Sequence, residues 1–267
     1  MFTSTLGLIR NLKAKRLTRR SPYKAALADL PAPLFAYWAN SAPLEFEGIP
    51  RDAYFFARAA EALLQFFDCA AGSEQPCALP SKAADSVWHA WLRMNPIGLE
   101  QFCIKHFGAV IPHVEAGAMD APTEQSLAVC LVKARTRERL QRGGSGLPRL
   151  FSTDRELGMP QGYAYQVRRG KVGLSPMSRQ GQPTSDIAYP ASFAPDALLM
   201  SGLIHSWEVE PKRRAHDGGS GSGWLGGDIG GTGDSGSTSD GACDSGSSSD
   251  CGGSSCGSSC GSSCGSS

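Results

Sequence analysis

The sequence predicts a mainly α-helical protein: a small orthogonal helical domain with a short β-hairpin and a long disordered C-terminal tail. Apolar residues recur at helical spacing through most of residues 51–141. Prolines and helix-capping residues separate the successive amphipathic segments. From residue 217 onward the chain is dominated by Gly, Ser, Asp and Cys. Such a segment has too little apolar surface to offset the entropy that ordering would cost, so we expect it to be disordered.

Composition divides the chain into four segments. We predict a basic N-terminal segment at 1–28, a helical domain at 29–174, a Pro/Ser-rich linker at 175–216 with a short helix at 196–207, and the tail at 217–267. The first segment carries seven Lys and Arg and no acid, whereas the tail carries six Asp and no base. The overall formal charge of +1 therefore conceals two oppositely charged ends.

The basic N-terminal segment predicts a helix that could lie on an anionic surface, either a membrane or a nucleic acid. Leu6, Ile9 and Leu12 share one helical face. Six bases surround that face: Arg10, Lys13, Lys15, Arg16, Arg19 and Arg20. Two alternatives remain open, namely a basic terminus that frays and a helix that docks on its own domain.

The sequence predicts a cytoplasmic protein without a transmembrane segment. No apolar run is long enough to span a bilayer, and the N-terminal apolar residues precede the bases, which reverses the order in a secretory signal. In that compartment we expect the nine cysteines to be reduced.

Two amphipathic helices are predicted first in the central domain. In residues 51–70, "RDAYFFARAAEALLQFFDCA", Phe55, Ala59, Leu63 and Phe66 form an apolar face, with Arg58 and other polar residues opposite. In residues 81–94, "SKAADSVWHAWLRM", Ser81 is a suitable N-terminal cap for a helix with an apolar stripe. That stripe consists of Ala84, Val87, Trp88 and Trp91.

Later elements follow from caps and turn residues. Asn95-Pro96 should end one helix and start the next, because Asn caps helices and Pro suits the first helical position. Gly108 then ends that helix as a left-handed cap. A further helix is predicted at about 122–141, a short one within 145–160, and a hairpin that turns at Arg169-Gly170.

A candidate metal site lies in residues 85–113, with His89, Cys103 and His113 as ligands and Asp85 as the orienting partner. Asp85 and His89 are four residues apart and share one flank of a helix, where the carboxylate can hold the imidazole in one tautomer. The Asn95-Pro96 joint makes the next helix a neighbour and brings Cys103 near. The turn at Gly108 lets His113 return beside the pair, and this set of nitrogen and sulfur ligands suits zinc.

Two other interpretations of the same residues remain open. Cys103 could be the nucleophile of a thiol-dependent enzyme, with His89 or His113 as its base. Against this, Cys103 falls on an inward apolar stripe, and no glycine-rich nucleophile turn is recognisable. Alternatively, the residues are core packing, because Cys is among the most buried residue types and needs no function to be inside.

The residues that carry this site resemble a known family. The pattern is Asp85, Trp88, His89, Phe102, Cys103, Phe107, Gly108 and His113. It resembles the core of the bacterial glycine-rich domain-containing proteins over roughly residues 30–140, and their Gly-rich tails with Cys are also similar. The resemblance implies a helical domain but no particular reaction. One departure is Trp91, where members of that family often have a second His.

The tail ends in repeats of Cys-Gly-Ser-Ser and carries Cys243, Cys251, Cys256, Cys260 and Cys264. Four roles are open: chelation of soft metal ions, disulfide cross-linking, modification of a precursor by cyclisation of Cys and Ser, or a solubilising low-complexity tail. For the chain as a whole, the sequence favours a binding or interaction module over an enzyme.

Overall fold

A long central helix supports most of the fold. The computed structural model describes residues 2–114 and 123–209, with side chains from residue 7 onward. Its α-helices are α1 (Phe2–Arg20), α2 (Lys24–Ala28), α3 (Leu34–Glu45), α4 (Ala53–Ala71), α5 (Lys82–Met94), α6 (Pro96–Phe107), α7 (Thr123–Arg137), α8 (Arg149–Leu157) and α9 (Pro195–Met200). Its strands are β1 (Tyr163–Arg168) and β2 (Lys171–Pro176), and two short 3-10 turns lie at Ala191–Phe193 and Ser206–Glu208. The predicted mainly α-helical fold is confirmed in this part of the chain.

Helix α4 is that central element, and α1, α5, α7 and α8 all pack against it. It begins where the carboxylate of Asp52 accepts hydrogen bonds from the backbone N–H groups of Tyr54 and Phe55, at 3.0 and 3.1 Å. Its apolar face, with Phe55, Ala59, Leu63 and Phe66, is fully buried. The helix predicted from residues 51–70 is therefore confirmed.

The polar face of α4 is also buried. The sequence predicted that this face lies opposite the apolar face, but it did not predict its burial. Arg58 is 0% exposed and donates to Glu156 Oε2 at 3.1 Å and to the carbonyl of Arg149 at 2.8 Å. The guanidinium of Arg149 donates in turn to Glu61 Oε2 at 2.9 Å. These contacts with α8 offset part of the desolvation cost of the buried charges, because Arg58 and Glu61 each gain an oppositely charged partner.

Helices α5 and α6 begin and end at the predicted residues. The Ser81 hydroxyl accepts from the N–H of Ala84 at 3.1 Å, and the Asn95 side-chain oxygen accepts from the N–H of Gly98 at 2.9 Å. Gly108 ends α6 with φ +79°, in the left-handed region. The predicted joint at Asn95-Pro96 is thus confirmed.

Helix α7 ends at Arg137, earlier than the 141 that the sequence predicts. The reason is a buried arginine, because Arg135 is 1% exposed and donates to the carbonyls of Gly146 at 2.9 Å and Arg142 at 2.9 Å. These bonds turn the following loop back on the helix, and Arg139 leaves the helical conformation with φ +57°.

The predicted hairpin is confirmed. Strands β1 and β2 pair antiparallel, with Arg168 opposite Lys171, and turn through Arg169 and Gly170, which both have positive φ. In the segment predicted as a linker, Phe193, Leu198 and Ile204 are buried in the main hydrophobic core. The short helix predicted at 196–207 is divided into α9 and the 3-10 turn Ser206–Glu208.

Helix α1 packs along α4 through Ala14, which is buried, and Arg10 forms an ion pair with Asp52. The interpretation of α1 as a helix docked on its own domain therefore agrees with the structure. Within the described ranges, no helix is both long and apolar enough to cross a membrane. The tail at 217–267 lies outside the described residues, so its predicted disorder stays a prediction.

One buried carboxylate joins three elements. Asp154 on α8 is 1% exposed and accepts four hydrogen bonds: from the Ser81 hydroxyl at 2.6 Å and from the N–H groups of Lys82, Ala83 and Tyr163, each at 3.0 Å. Burial raises the pKa of Asp154 above its ordinary value, while these hydrogen bonds act in the opposite direction. The carboxylate therefore fixes the first turn of α5 and the start of β1 against α8.

We predict that Asp154→Ala lowers the free energy of unfolding by about 3 kcal/mol, because buried N–H groups would lose their acceptor. Urea unfolding of the full-length chain, followed by circular dichroism, measures the change.

A matched control is Asp186→Ala, which removes an exposed carboxylate and should change stability by less than about 0.5 kcal/mol. Equal stability of the two variants would contradict the role given to Asp154.

Candidate metal centre

Three side chains of the predicted site converge at the surface of α5. Asp85 and His89 lie one turn apart on this helix, and His113 follows α6 after the Gly108 turn. One potential ligand atom from each of the three residues lies within 4.8 Å of the others. All three side chains are partly exposed, so an ion from solvent can reach them.

The distances between these atoms match the edges of a small coordination polyhedron. Nε2 of His89 lies 3.0 Å from Nε2 of His113, and Asp85 Oδ1 lies 3.4 Å from His113 Nε2 and 3.5 Å from His89 Nε2. In a tetrahedral zinc site with bonds of about 2.0–2.1 Å, neighbouring ligand atoms are separated by about 3.3 Å. One ion could therefore contact all three atoms with little rearrangement.

Glu45, at the end of α3, orients His89. Its Oε1 atom lies 2.5 Å from His89 Nδ1, and its Oε2 atom lies 2.7 Å from the guanidinium of Arg93. Since an ionised carboxylate can only accept, the proton must be on Nδ1. In the neutral ring, Nε2 then directs its lone pair toward His113 and Asp85, as in carboxylate–histidine–metal arrangements.

Sequence analysis did not identify Glu45, which lies 44 residues before His89 in a different helix. No local spacing connects the two, and only the packing of α3 on α5 brings them together. The indole of Trp88 meets the His113 ring edge to face, with centroids 4.5 Å apart, and so restricts the third ligand.

Cys103 is not part of this group, although the sequence analysis placed it there. It is 1% exposed and belongs to the hydrophobic core together with Leu99 and Phe102 on α6. Its sulfur accepts a hydrogen bond from the backbone of Ile111, two residues before His113. Cys103 therefore supports the segment that carries His113.

The thiol of Cys103 is poorly suited to nucleophilic attack. Burial raises its pKa to about 11, against the smaller opposing effect of the Ile111 hydrogen bond. A reactive cysteine instead needs a lowered pKa and access to solvent. His106 lies away from the cluster and contacts Asp29 Oδ2 at 3.0 Å.

A cavity of about 1020 Å³ opens beside the cluster. Asp85, His89 and His113 form part of its wall. The remainder of the wall includes apolar and aromatic side chains, among them Phe66, Trp88, Ile111, Leu127, Tyr163 and Tyr165. A metal ion at the cluster would therefore be accessible from the cavity.

Comparison with known proteins finds one family-model match and no activity. A family model described as UCP032817-like matches residues 53–182, a range that contains Asp85, His89 and His113. No curated protein and no solved structure matches the chain.

We predict that Cys103 in the folded, full-length chain does not react with iodoacetamide near neutral pH, because its thiol is buried and protonated. Peptide mapping by mass spectrometry should find it unmodified in the native protein and modified after unfolding in urea. Selective modification of native Cys103 would contradict this prediction and favour the thiol-enzyme hypothesis.

Proposed function

We propose that the helical domain is a metal-dependent binding module that holds one divalent transition metal ion through Asp85, His89 and His113. Zinc suits these ligands best, because it accepts imidazole nitrogen and carboxylate oxygen in a tetrahedral arrangement. Glu45 would act behind His89 as its orienting partner. The observation that carries the proposal is the mutual approach of the three ligand atoms to 3.0–3.5 Å.

A metal-free arrangement accounts less well for these contacts. With both imidazoles neutral and no ion, His113 Nε2–H would donate to both His89 Nε2 and Asp85 Oδ1, because Glu45 already accepts the His89 Nδ1 proton. One proton would then serve two acceptors, one of them 3.4 Å away. A cation would satisfy all three atoms together.

The charges near the cluster favour a cation. Asp85 and Glu45 contribute two carboxylates, and Arg93 offsets one of them. With neutral imidazoles, the group has a net charge of about −1 before an ion binds. Three protein ligands would leave a fourth position for water or a bound molecule.

We also propose that the chain belongs to the bacterial glycine-rich domain-containing proteins, because its sequence has the residues that carry that resemblance. Asp85 and His89 belong to that pattern, as does His113. Its departure at Trp91 does not affect the proposed ligand set, since Trp91 is fully buried in the core and is not one of the three clustered ligands.

We predict that zinc binds with a stoichiometry of one to a full-length chain in which the five tail cysteines are replaced by serine. This variant, the tail-serine chain, carries Cys243→Ser, Cys251→Ser, Cys256→Ser, Cys260→Ser and Cys264→Ser. His89→Ala or His113→Ala should abolish tight binding, and Glu45→Ala should weaken it by about 10–100-fold. Competition with a chromogenic chelator measures these affinities.

The matched control is His106→Ala, which removes an imidazole outside the cluster and should leave the zinc affinity unchanged. Undiminished zinc binding by the His89→Ala and His113→Ala variants would disprove the proposed site.

A second candidate function is supported by the outer face of α1. Leu8, Ile9 and Leu12 are 60%, 45% and 58% exposed, on the side of the helix away from Ala14. Lys13 and other exposed bases flank them. This combination is typical of helices that lie on anionic membranes, where apolar side chains enter the acyl region and bases contact headgroups. A nucleic acid would satisfy the bases but would offer little to the apolar side chains.

We predict that the full-length chain sediments with phosphatidylserine-containing vesicles but not with neutral ones. Lys13→Gln/Lys15→Gln/Arg16→Gln should weaken partitioning on the order of a hundredfold, at about 1 kcal/mol for each base. Leu8→Gln/Ile9→Gln/Leu12→Gln should weaken it as well, through loss of apolar burial.

The matched control removes three bases elsewhere, in the hairpin, with Arg168→Gln/Arg169→Gln/Lys171→Gln, and should have a much smaller effect. The membrane proposal would be overturned in favour of a nucleic acid if the chain bound DNA but not vesicles. In that case Leu8→Gln/Ile9→Gln/Leu12→Gln would not change the DNA affinity.

A further inference from the structure

We propose that the cavity beside the metal cluster binds a monocarboxylic acid with an apolar body, whose carboxylate completes the coordination of the metal ion. This inference rests on the proposed metal site and names the class of molecule that the site would bind. It is supported by the size of the cavity, the apolar character of most of its wall, and the presence of Lys82 in that wall.

The cavity is large and most of its wall is apolar. Its volume of about 1020 Å³ lies at the upper end of the range that is common for small-molecule sites. Phe66 on α4, Trp88 on α5 and Tyr165 on β1 are all buried and contribute to the wall. Since these side chains come from three packed elements, the apolar part of a ligand would enter a preformed space.

Polar groups lie near the cluster. Lys82 and Tyr163 join Asp85, His89 and His113 in the wall. The backbone N–H groups of Lys82 and Tyr163 both donate to Asp154, which fixes their positions next to each other. The Lys82 ammonium lies 5.2 Å from the centre of the Tyr163 ring.

Both side chains can act as donors to an anion. Among the described residues, no carboxylate forms an ion pair with Lys82. Burial, and then the carboxylates of Asp154 and Asp85, raise the pKa of Tyr163, so its hydroxyl stays protonated. A divalent ion bound by one carboxylate and two neutral imidazoles would retain a charge of about +1, and Lys82 adds a second positive charge.

The distribution of charge favours one anionic group rather than two. Lys82 is the one Lys or Arg among the described residues that line the cavity, and the other charged residue away from the cluster is Glu74, an acid. A second carboxylate on the ligand would therefore be desolvated without a cation beside it. Inorganic phosphate would leave the apolar wall in contact with water.

The test uses the tail-serine chain loaded with Co²⁺, whose visible absorption reports the ligands of the ion. Titration with acetate, butyrate, octanoate and decanoate should change the spectrum, with affinity rising roughly threefold to fourfold for each added methylene. Octanol and inorganic phosphate should both bind far more weakly than octanoate.

Variants separate the carboxylate contacts from metal binding. Lys82→Met should weaken octanoate binding by about tenfold or more without weakening Co²⁺ binding, since Lys82 is not a ligand of the ion and carries a charge of the same sign. The matched control is Lys105→Met, which removes an exposed base paired with Asp29 and should have no effect.

The outcomes distinguish this inference from the proposed metal site. Tight Co²⁺ binding with a spectrum that octanoate does not change would overturn the inference and leave the metal site standing. Affinity that is independent of chain length, or equal for octanol and octanoate, would also overturn it. A third outcome would overturn both the metal site and the inference. In that outcome the tail-serine chain does not bind Co²⁺ at the cluster, and His89→Ala does not change the octanoate affinity measured by calorimetry.

Discussion

The buried carboxylate of Asp154 is the constraint on which the site depends. It accepts hydrogen bonds from the first turn of α5 and from the first residue of β1, so it fixes both elements against α8. Four donors around one carboxylate leave little freedom of position, because each bond is directional and buried. Asp85 and His89 lie just after this turn, so their direction is set by the same contacts.

The cluster combines two side chains from one helix with a third from a non-helical segment. Asp85 and His89 are on α5, while His113 follows α6, two residues after the buried Ile111, whose backbone donates a hydrogen bond to Cys103. Glu45 comes from a third element. This division of roles between clustered groups and supporting groups is common in metal sites, where orienting partners strongly affect affinity.

The parts of the fold that were predictable are those with local causes. Ser81, Asn95 and Gly108 act through bonds or backbone angles within a few residues, so their sequence positions are sufficient to identify helix ends. The hairpin at Arg169-Gly170 has a similarly local cause, since a two-residue turn needs positive φ and Gly170 adopts it without steric cost.

The parts that were missed depend on distant contacts. Arginine is typical of solvent-exposed helix positions. Arg58 and Arg135 are buried because they have hydrogen-bond partners elsewhere in the fold. Glu45 reaches His89 through the packing of two helices. For Cys103, helical periodicity indicates an inward direction but not which inward neighbours it meets.

Asp85, His89 and His113 were predicted to converge from helix spacing and the Gly108 turn, and their ligand atoms lie together.

The most direct test is the anomalous diffraction of zinc in crystals of the zinc-loaded, full-length chain. We expect one peak between the three side chains, about 2.0–2.1 Å from Nε2 of His89 and of His113 and about 2.0–2.2 Å from a carboxylate oxygen of Asp85. Crystals that contain zinc but have no peak at this position, with the two imidazoles hydrogen-bonded to each other, would contradict the account.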